Sequence, residues 1–372
     1  MKRTMILAAL STATAMGCSA EVTVPEDDAS TAMSVSSPCR LDDARLTVMT
    51  QNVYLGMDVD PVLGAPSEEA VPVAVAAAWR TLEANRFEDR AAAIAASIGG
   101  ARPELVALQE VALYRRFPGG GGAPTEIDFL AILRKALAKR ALPYRVAVVE
   151  NATDVMVPMF AGFDASGAPI LDGVQVLDRD AILVRADVEI SEPRAARYEA
   201  SLPVAVGSAS LEIVRGWASV IVKAAGGSYR FMTTHLEDHV PEIQAAQAAE
   251  LLAIVNAEKR PIVVAGDFNS PADGSGTPTY AALAAAGLRD AWSAAHPKKP
   301  GFTCCRASDL RLAAPLTERL DLIFARGRTA RPIPGAVSAE LVGEERRDRT
   351  PSGLWPSDHA GVVATFRAPT LW

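Results

Sequence analysis

From Arg45 onward, short runs of β-branched and aliphatic residues alternate with longer Ala-rich stretches, and several of the short runs stop on a carboxylate, an amide or a histidine. Residues 45–53 (RLTVMTQNV), 104–111 (ELVALQEV), 144–150, 181–185, 261–266 (PIVVAG), 320–325 and 361–366 have the length and composition of strands. Residues 211–214, 217–223 and 229–234 read as successive antiparallel strands, the last two joined at Gly226-Gly227. Residues 70–98, 126–141, 241–256 and 278–286 read as helices; Pro241 suits a first turn and Gly287 a helix end. Strands outnumber helices and the two are mixed throughout, which predicts an α/β or α+β domain of layered sheets with helices outside. A hydrophobic content of 49% over 372 residues is enough for a sizeable core. The chain has no internal repeat, and the glycine run at 119–122 lacks the lysine of a phosphate-binding loop.

The first forty residues do not belong to that pattern. Lys2 and Arg3 precede an apolar, small-residue stretch that closes on Gly17-Cys18, so residues 1–17 read as a signal peptide and the protein as exported. Residues 15–18 resemble a bacterial lipobox, in which Cys18 is acylated after cleavage; ordinary cleavage near Ala20 is the alternative. Residues 18–40 then form a lipidated Cys and a flexible tether, rich in Ser, Thr, Ala and acidic residues, that holds a domain (41–372) above a membrane. No later apolar run is long enough for a transmembrane helix. The formal net charge of -7 provides no global positive field for nucleic acid. Of the other cysteines, Cys39 can pair with either member of the Cys304-Cys305 doublet, or the doublet can bridge itself; one structural disulfide plus one buried thiol is the simplest reading.

The polar residues at the strand ends carry the chemistry. Asn52, Glu110, His235, Asp267 with Asn269, and Asp358 with His359 each adjoin a strand, and groups at strand ends gather on one rim of a sheet. Glu110, Asp267, Asp358 and Asn52 offer hard oxygen donors suited to Mg2+ or Mn2+. With two histidines nearby to give hydrogen bonds or protons, the set suits hydrolysis of a phosphoester.

The motifs Thr50-Gln51-Asn52, Leu108-Gln109-Glu110-Val111, Thr234-His235-Leu236, Gly266-Asp267-Phe268-Asn269, Arg319-Leu320-Asp321-Leu322-Ile323 and Ser357-Asp358-His359 occur in this order. In that order they resemble the endonuclease/exonuclease/phosphatase superfamily, over roughly residues 46–366. The resemblance implies a four-layer α/β sandwich: two mixed β-sheets packed face to face, with helices on both outer faces. It implies metal binding by Glu110, Asn52 and Asp358, and a catalytic set of Asp267, His359, His235, Asp321 and Asn269. Asp267 would orient or activate water, Asn269 and His235 would contact the phosphate, and His359, oriented by Asp321, would stabilise the transition state. Mg2+ or Mn2+ would be the cofactor.

The chain also departs from the family. Asn52 and Glu110 lie further apart than is usual, and residues 54–88 read as an insertion whose segment 57–66 forms a loop near the site. Residues 151–178, with Met156, Met159, Phe160 and Phe163, are expected as a hairpin over the pocket or an apolar surface that meets lipid. The Cys304-Cys305 segment is expected at the edge of the site, Asp58, Asp60, His239 and His296 at the surface, and Trp79, Trp217 and Trp292 in the core. The substrate is then a phosphoester, nucleic acid or phospholipid, acted on outside the cytoplasm by a monomer. The rival reading is a catalytically silent, lipid-anchored binding protein on the same fold.

Overall fold

Val48 and Met49 are neighbours in the first strand, and each is fully buried, but in different cores. Successive side chains of a strand point to opposite faces, so a strand buried on both faces belongs to the interior of a layered stack. The computed structural model describes residues 45–206, 209–224, 227–312, 314–327 and 338–367. The signal segment, Cys18, Cys39 and the tether lie outside them.

The chain begins with β1 (Arg45–Asn52), α1 (Asp60–Leu63), α2 (Val71–Ala84), α3 (Phe87–Ala101), β2 (Leu105–Gln109), β3 (Leu113–Phe117), β4 (Thr125–Asp128) and α4 (Phe129–Lys139). A long hairpin, β5 (Tyr144–Phe163) and β6 (Pro169–Arg185), leads to β7 (Glu189–Arg197), β8 (Leu202–Val206), β9 (Ala209–Ile213), β10 (Gly216–Ala224) and β11 (Gly227–His235). The remainder is α5 (Pro241–Ala257), β12 (Ile262–Asp267), α6 (Thr279–Ala285), β13 (Arg289–Asp290), α7 (Ala291–Ala295), β14 (Asp321–Arg326), β15 (Ser338–Val342) and β16 (Gly361–Arg367).

One sheet runs β15-β16-β1-β2-β6-β3-β4, with β5 also paired to β6; a second runs β13-β14-β12-β11-β10-β7; β8 and β9 form a separate ribbon. Both large sheets are mixed, with β1–β2 and β11–β12 the parallel pairs. Val48, Ala107 and Ile182 of the first sheet pack with Val220, Val263 and Ile323 of the second. The other face of the first sheet, through Met49, Val106 and Leu183, meets α2, α3 and α4. The other face of the second, through Met232, Val264 and Phe324, meets α5 and α6. This is the expected four-layer sandwich. Among the described residues no helix is long and apolar enough to cross a membrane.

Several elements differ from the sequence reading, each for a local reason. The helix expected over 70–98 is two helices, broken where Asn85 gives its side-chain amide to Gly56 O and Ser308 O and Arg86 takes φ 38°. The helix expected from 126 starts at Phe129, because the Asp128 carboxylate accepts Ala131 N at 3.0 Å as an N-cap. Residues 125–128 instead pair with β3. Residues 151–178 form the expected hairpin, but it is continuous with strands 144–150 and 181–185 as β5 and β6, with register shifts along it near Asn151 and Phe160. β7 is polar and exposed, as an edge strand is, and carries no apolar alternation to read. Gly227, expected in the turn, already belongs to β11, and Gly226 lies outside the described residues. The described disulfide joins Cys304 to Cys305, so neither is the lone buried thiol. His296 is not a free surface group: its Nε2 lies 2.7 Å from Ala339 O.

Candidate active site

Strand register brings the polar residues together. Asn52 pairs with Gln109 at the ends of parallel β1 and β2, His235 pairs with Asp267 at the ends of parallel β11 and β12, and Asp267 pairs in turn with Asp321 at the start of antiparallel β14. The two sheets thus present their functional ends at one rim. Gly266 permits this closeness, since a Cβ there would fall 2.0 Å from Thr234 O. Three residues just past the rim ends of β1, β2 and β12 hold left-handed backbone: Tyr54 with φ 65°, Glu110 with φ 61° and Asn269 with φ 48°. Such geometry in a non-glycine residue costs energy and concentrates at functional sites.

The Asn52 amide ties two carboxylates, donating through Nδ2 to Glu110 Oε1 at 2.9 Å and to Asp267 Oδ2 at 3.1 Å. Its Oδ1 accepts Tyr54 N at 2.8 Å, which leaves one lone pair on that oxygen. Glu110 Oε2 accepts Leu55 N at 2.5 Å. Asp267 Oδ1 accepts Asn269 N at 3.0 Å, and the Asn269 side chain donates to Leu236 O at 2.8 Å. Asp267 Oδ2 also lies 3.9 Å from His235 Nε2 and 3.7 Å from His359 Nδ1.

Burial and like charge act on these carboxylates together. Desolvation, then Asp358 and Asp178, push Glu110 up to about 8; desolvation and Asp321 push Asp267 up to about 6; desolvation raises Asp358. His359 Nδ1 donates to Asp321 Oδ2 at 2.7 Å. Burial opposes charge on that ring, but Asp321, Asp358 and Asp267 outweigh it and keep the imidazolium well above the ordinary histidine range. Thr303 Oγ1 accepts the backbone N–H groups of Leu320 and Asp321 and so fixes the start of β14. His235 is the opposite case: burial, then the Arg215 guanidinium, hold it well below the ordinary range.

Sequence reasoning missed three contributors. Arg215 Nη1 sits 3.0 Å from His235 Nδ1 and 3.3 Å from Asp178 Oδ2, while Nη2 reaches Asp238 Oδ1 at 3.1 Å. Arg90, fully buried in α3, donates to the carbonyls of Asn85, Val53, Pro356 and Tyr54, and so ties the loop after β1 to the loop that carries Asp358. Asp178 adds a third buried carboxylate beside Glu110. The sequence signal for Arg90 was its place in an otherwise Ala-rich helix face; for Arg215 and Asp178 the pairing exists only in three dimensions.

His235, Glu110, Asp267, Asn269, Asp358 and His359 line one cavity of about 510 Å³, with Asn52 and Asp321 buried behind them. Cys305 also lines it, its Sγ 3.9 Å from His359 Nε2. Asp58, Asp60 and His239 lie at its margin, His239 Nε2 being 3.8 Å from Asp60 Oδ1. Trp79 and Trp292 are buried as expected; Trp217 is half-buried. Among the described residues, two triads have ligand atoms close enough to share an ion: Asp267, Asp321 and His359, and Cys304, Cys305 and His359. The donors around Glu110 are carboxylate and amide oxygens, with Asn52 Nδ2 shared between Glu110 Oε1 and Asp267 Oδ2. That chemistry fits a hard divalent cation.

The architecture recurs in solved structures. TDP2 from D. rerio, crystallised with a single strand DNA product, is 20% identical with a TM-score of 0.51, over 87% of this chain and 99% of that one. An endonuclease/exonuclease/phosphatase family protein from Bacteroides thetaiotaomicron is 16% identical with a TM-score of 0.51, over 86% and 97%. A protein of the same family from Leptotrichia buccalis is 16% identical with a TM-score of 0.50, over 86% and 98%. Comparison with curated protein sequences returns no match. The model of the Endonuclease/Exonuclease/phosphatase family matches residues 49–359, a span that runs from β1 to the histidine beside β16 and includes every strand end that meets at the rim. The chain therefore belongs to the endonuclease/exonuclease/phosphatase family, whose members hydrolyse phosphoester bonds.

Proposed function

We propose that the protein is a divalent-metal-dependent phosphodiesterase, using Mg2+ or Mn2+, that acts outside the cytoplasm. The observation that carries this reading is the position of Asp267 Oδ2, with Asn52 Nδ2 at 3.1 Å, His359 Nδ1 at 3.7 Å and His235 Nε2 at 3.9 Å. A carboxylate held there accepts a proton from water and aims its oxygen at phosphorus. Protonated His359, fixed by Asp321, places positive charge where the phosphorane oxygens gain negative charge. Neutral His235 and the Asn269 side chain are placed to contact the phosphate. Glu110, Asp358 and the free lone pair of Asn52 Oδ1 are the donors that would hold the metal. Such an ion supplies Lewis-acid neutralisation of phosphate oxygens.

Location rests on residues 1–40. Their composition supports export and anchoring of the enzyme through Cys18. The test is hydrolysis of bis(p-nitrophenyl) phosphate with Mg2+ or Mn2+, against an Asp267→Ala, His359→Ala double variant. Metal-dependent turnover lost in the variant supports the reading. A folded protein without turnover and without metal binding overturns it.

A further inference from the structure

Besides its polar groups, the cavity has an apolar lining drawn from α1, α2, the β5–β6 hairpin and β9. From α2, Val75, Ala78 and Trp79 face into it. From the β5–β6 hairpin come Val155, Val157, Val174 and Val176, which are cross-strand partners (Val155 with Val176, Val157 with Val174) on one face. Val62 and Leu63 of α1 and Leu211 and Ile213 of β9 close the remaining sides. The alternate hairpin residues Asp154, Met156 and Pro158 point away, so the valines are set inward by strand period. Among the described residues, Arg215 and Arg306 are the lysine or arginine residues that line the cavity. A strand of nucleic acid needs a basic track and stacking platforms along its path. This wall offers no basic track, and its aromatic residues Tyr54 and Trp79 are only 7% and 5% exposed.

We infer that the substrate is a phosphodiester with an apolar, chain-like arm, which lies along the channel between α2, the hairpin and β9 while the phosphate meets Asp267, His235 and His359. The inference rests on the phosphodiesterase reading and names its substrate class. In the reaction, water oxygen forms a bond to phosphorus and the P–O bond to one alcohol breaks. One proton of the water goes to the departing alkoxide, and the products are a phosphomonoester and an alcohol. Nothing is oxidised or reduced. The outer face of the hairpin also exposes Met156 at 53% and Phe163 at 66%, an apolar face suited to a bilayer that holds such a substrate.

The test is a series of p-nitrophenyl alkyl phosphates (methyl, butyl, hexyl, octyl), assayed with Mn2+ beside a single-stranded oligonucleotide and sphingomyelin or phosphatidylcholine vesicles. Octylphosphonate and methylphosphonate are titrated calorimetrically in parallel. The expected result is a rise in kcat/KM of about fourfold per methylene until the channel fills. Ala78→Trp, which fills the channel from α2, should cut the octyl-to-methyl ratio at least tenfold. Leu211→Asp, on the outlying ribbon, should do the same should the first variant not fold. Turnover of vesicles above that of the soluble octyl ester assigns the arm to a bilayer lipid; the reverse assigns it to a soluble amphiphile. A flat response to chain length, or an oligonucleotide preferred to the octyl ester, overturns the inference while leaving the phosphodiesterase reading intact. Tighter octylphosphonate binding without turnover of any ester keeps the occupant and overturns the hydrolase reading. No turnover and no chain-length preference in binding overturns both.

Discussion

Arg215 Nη1 lies 3.0 Å from His235 Nδ1, and because a guanidinium has hydrogens to give and no lone pair, the ring must accept there. The proton of neutral His235 is therefore on Nε2, the nitrogen that faces Asp267 and Glu110 at 3.9 and 4.0 Å. One cation thus sets the tautomer and orientation of a residue that the sequence had identified without its partner, and adds to burial in keeping it neutral. Arg215→Met should release that ring, let it protonate at higher pH, and lower kcat/KM by about 10- to 100-fold. A pH–rate profile of the variant on a chromogenic phosphodiester should show its acidic limb displaced upward; an unmoved limb would count against the assignment.

The pair of His359 and Asp321 is charged where His235 is neutral. Asp321→Asn removes the nearest carboxylate from the ring, so the imidazolium should lose its proton at lower pH than in the parent. The expected loss in kcat is about 100-fold or more. Ring NMR resonances of His359 followed through a titration check the direction independently of activity.

Metal affinity should depend on pH through the carboxylates that burial holds protonated. With Glu110 at about 8, a divalent ion must displace its proton between about pH 6 and 8, so the apparent affinity should strengthen as pH rises, by up to about tenfold per pH unit. Calorimetric titration of Mn2+ at both ends of the interval measures it. A chelator should abolish turnover and excess metal restore it.

Glu150 is a separate, structural case. It is buried, neither of its carboxylate oxygens has a hydrogen-bond partner, and desolvation, then Asp178, push it up to about 8. Above its ordinary value the unfolded chain releases this proton while the folded chain keeps it, so the group lowers stability as pH rises toward about 8, by up to about 1.4 kcal/mol per pH unit. Glu150→Gln should flatten that loss, giving a variant less sensitive to urea than the parent at alkaline pH and similar to it in acid.

Arg90→Met should cost about 3–5 kcal/mol, since four carbonyls in a buried site would lose their donor. A fall in Tm together with weaker metal binding is the expected pair of changes, because the loops it joins carry Tyr54 and Asp358.

The residues of the rim were legible because each is tied to a strand end, and strand ends are marked by a change from aliphatic to polar residues within a few positions. Glu110 and Asp267 are such cases. The sandwich was legible through runs such as 261–266 that are apolar on both faces. What escaped were features that depend on a distant partner. β5 was read in two pieces divided at Asn151, whereas β6 pairs along its length. The break between α2 and α3 is caused by carbonyls of Gly56 and Ser308 that the helix sequence does not contain. Arg215 and Asp178 are 37 positions apart and acquire meaning only once β6 and β10 lie in facing sheets.

The ribbon of β8 and β9 belongs to neither large sheet, yet Leu211 and Ile213 complete one wall of the cavity. α1 likewise stands apart from β12, which carries Asp267, and from the loop before β16, which carries His359. Chemistry and selectivity therefore have separate supports. Insertions or exchanges in the ribbon and in α1 can recut the shape that a substrate meets while the rim keeps its spacing. Lineages of this fold can thus change diet by editing the periphery, with the hydrolytic centre inherited unaltered.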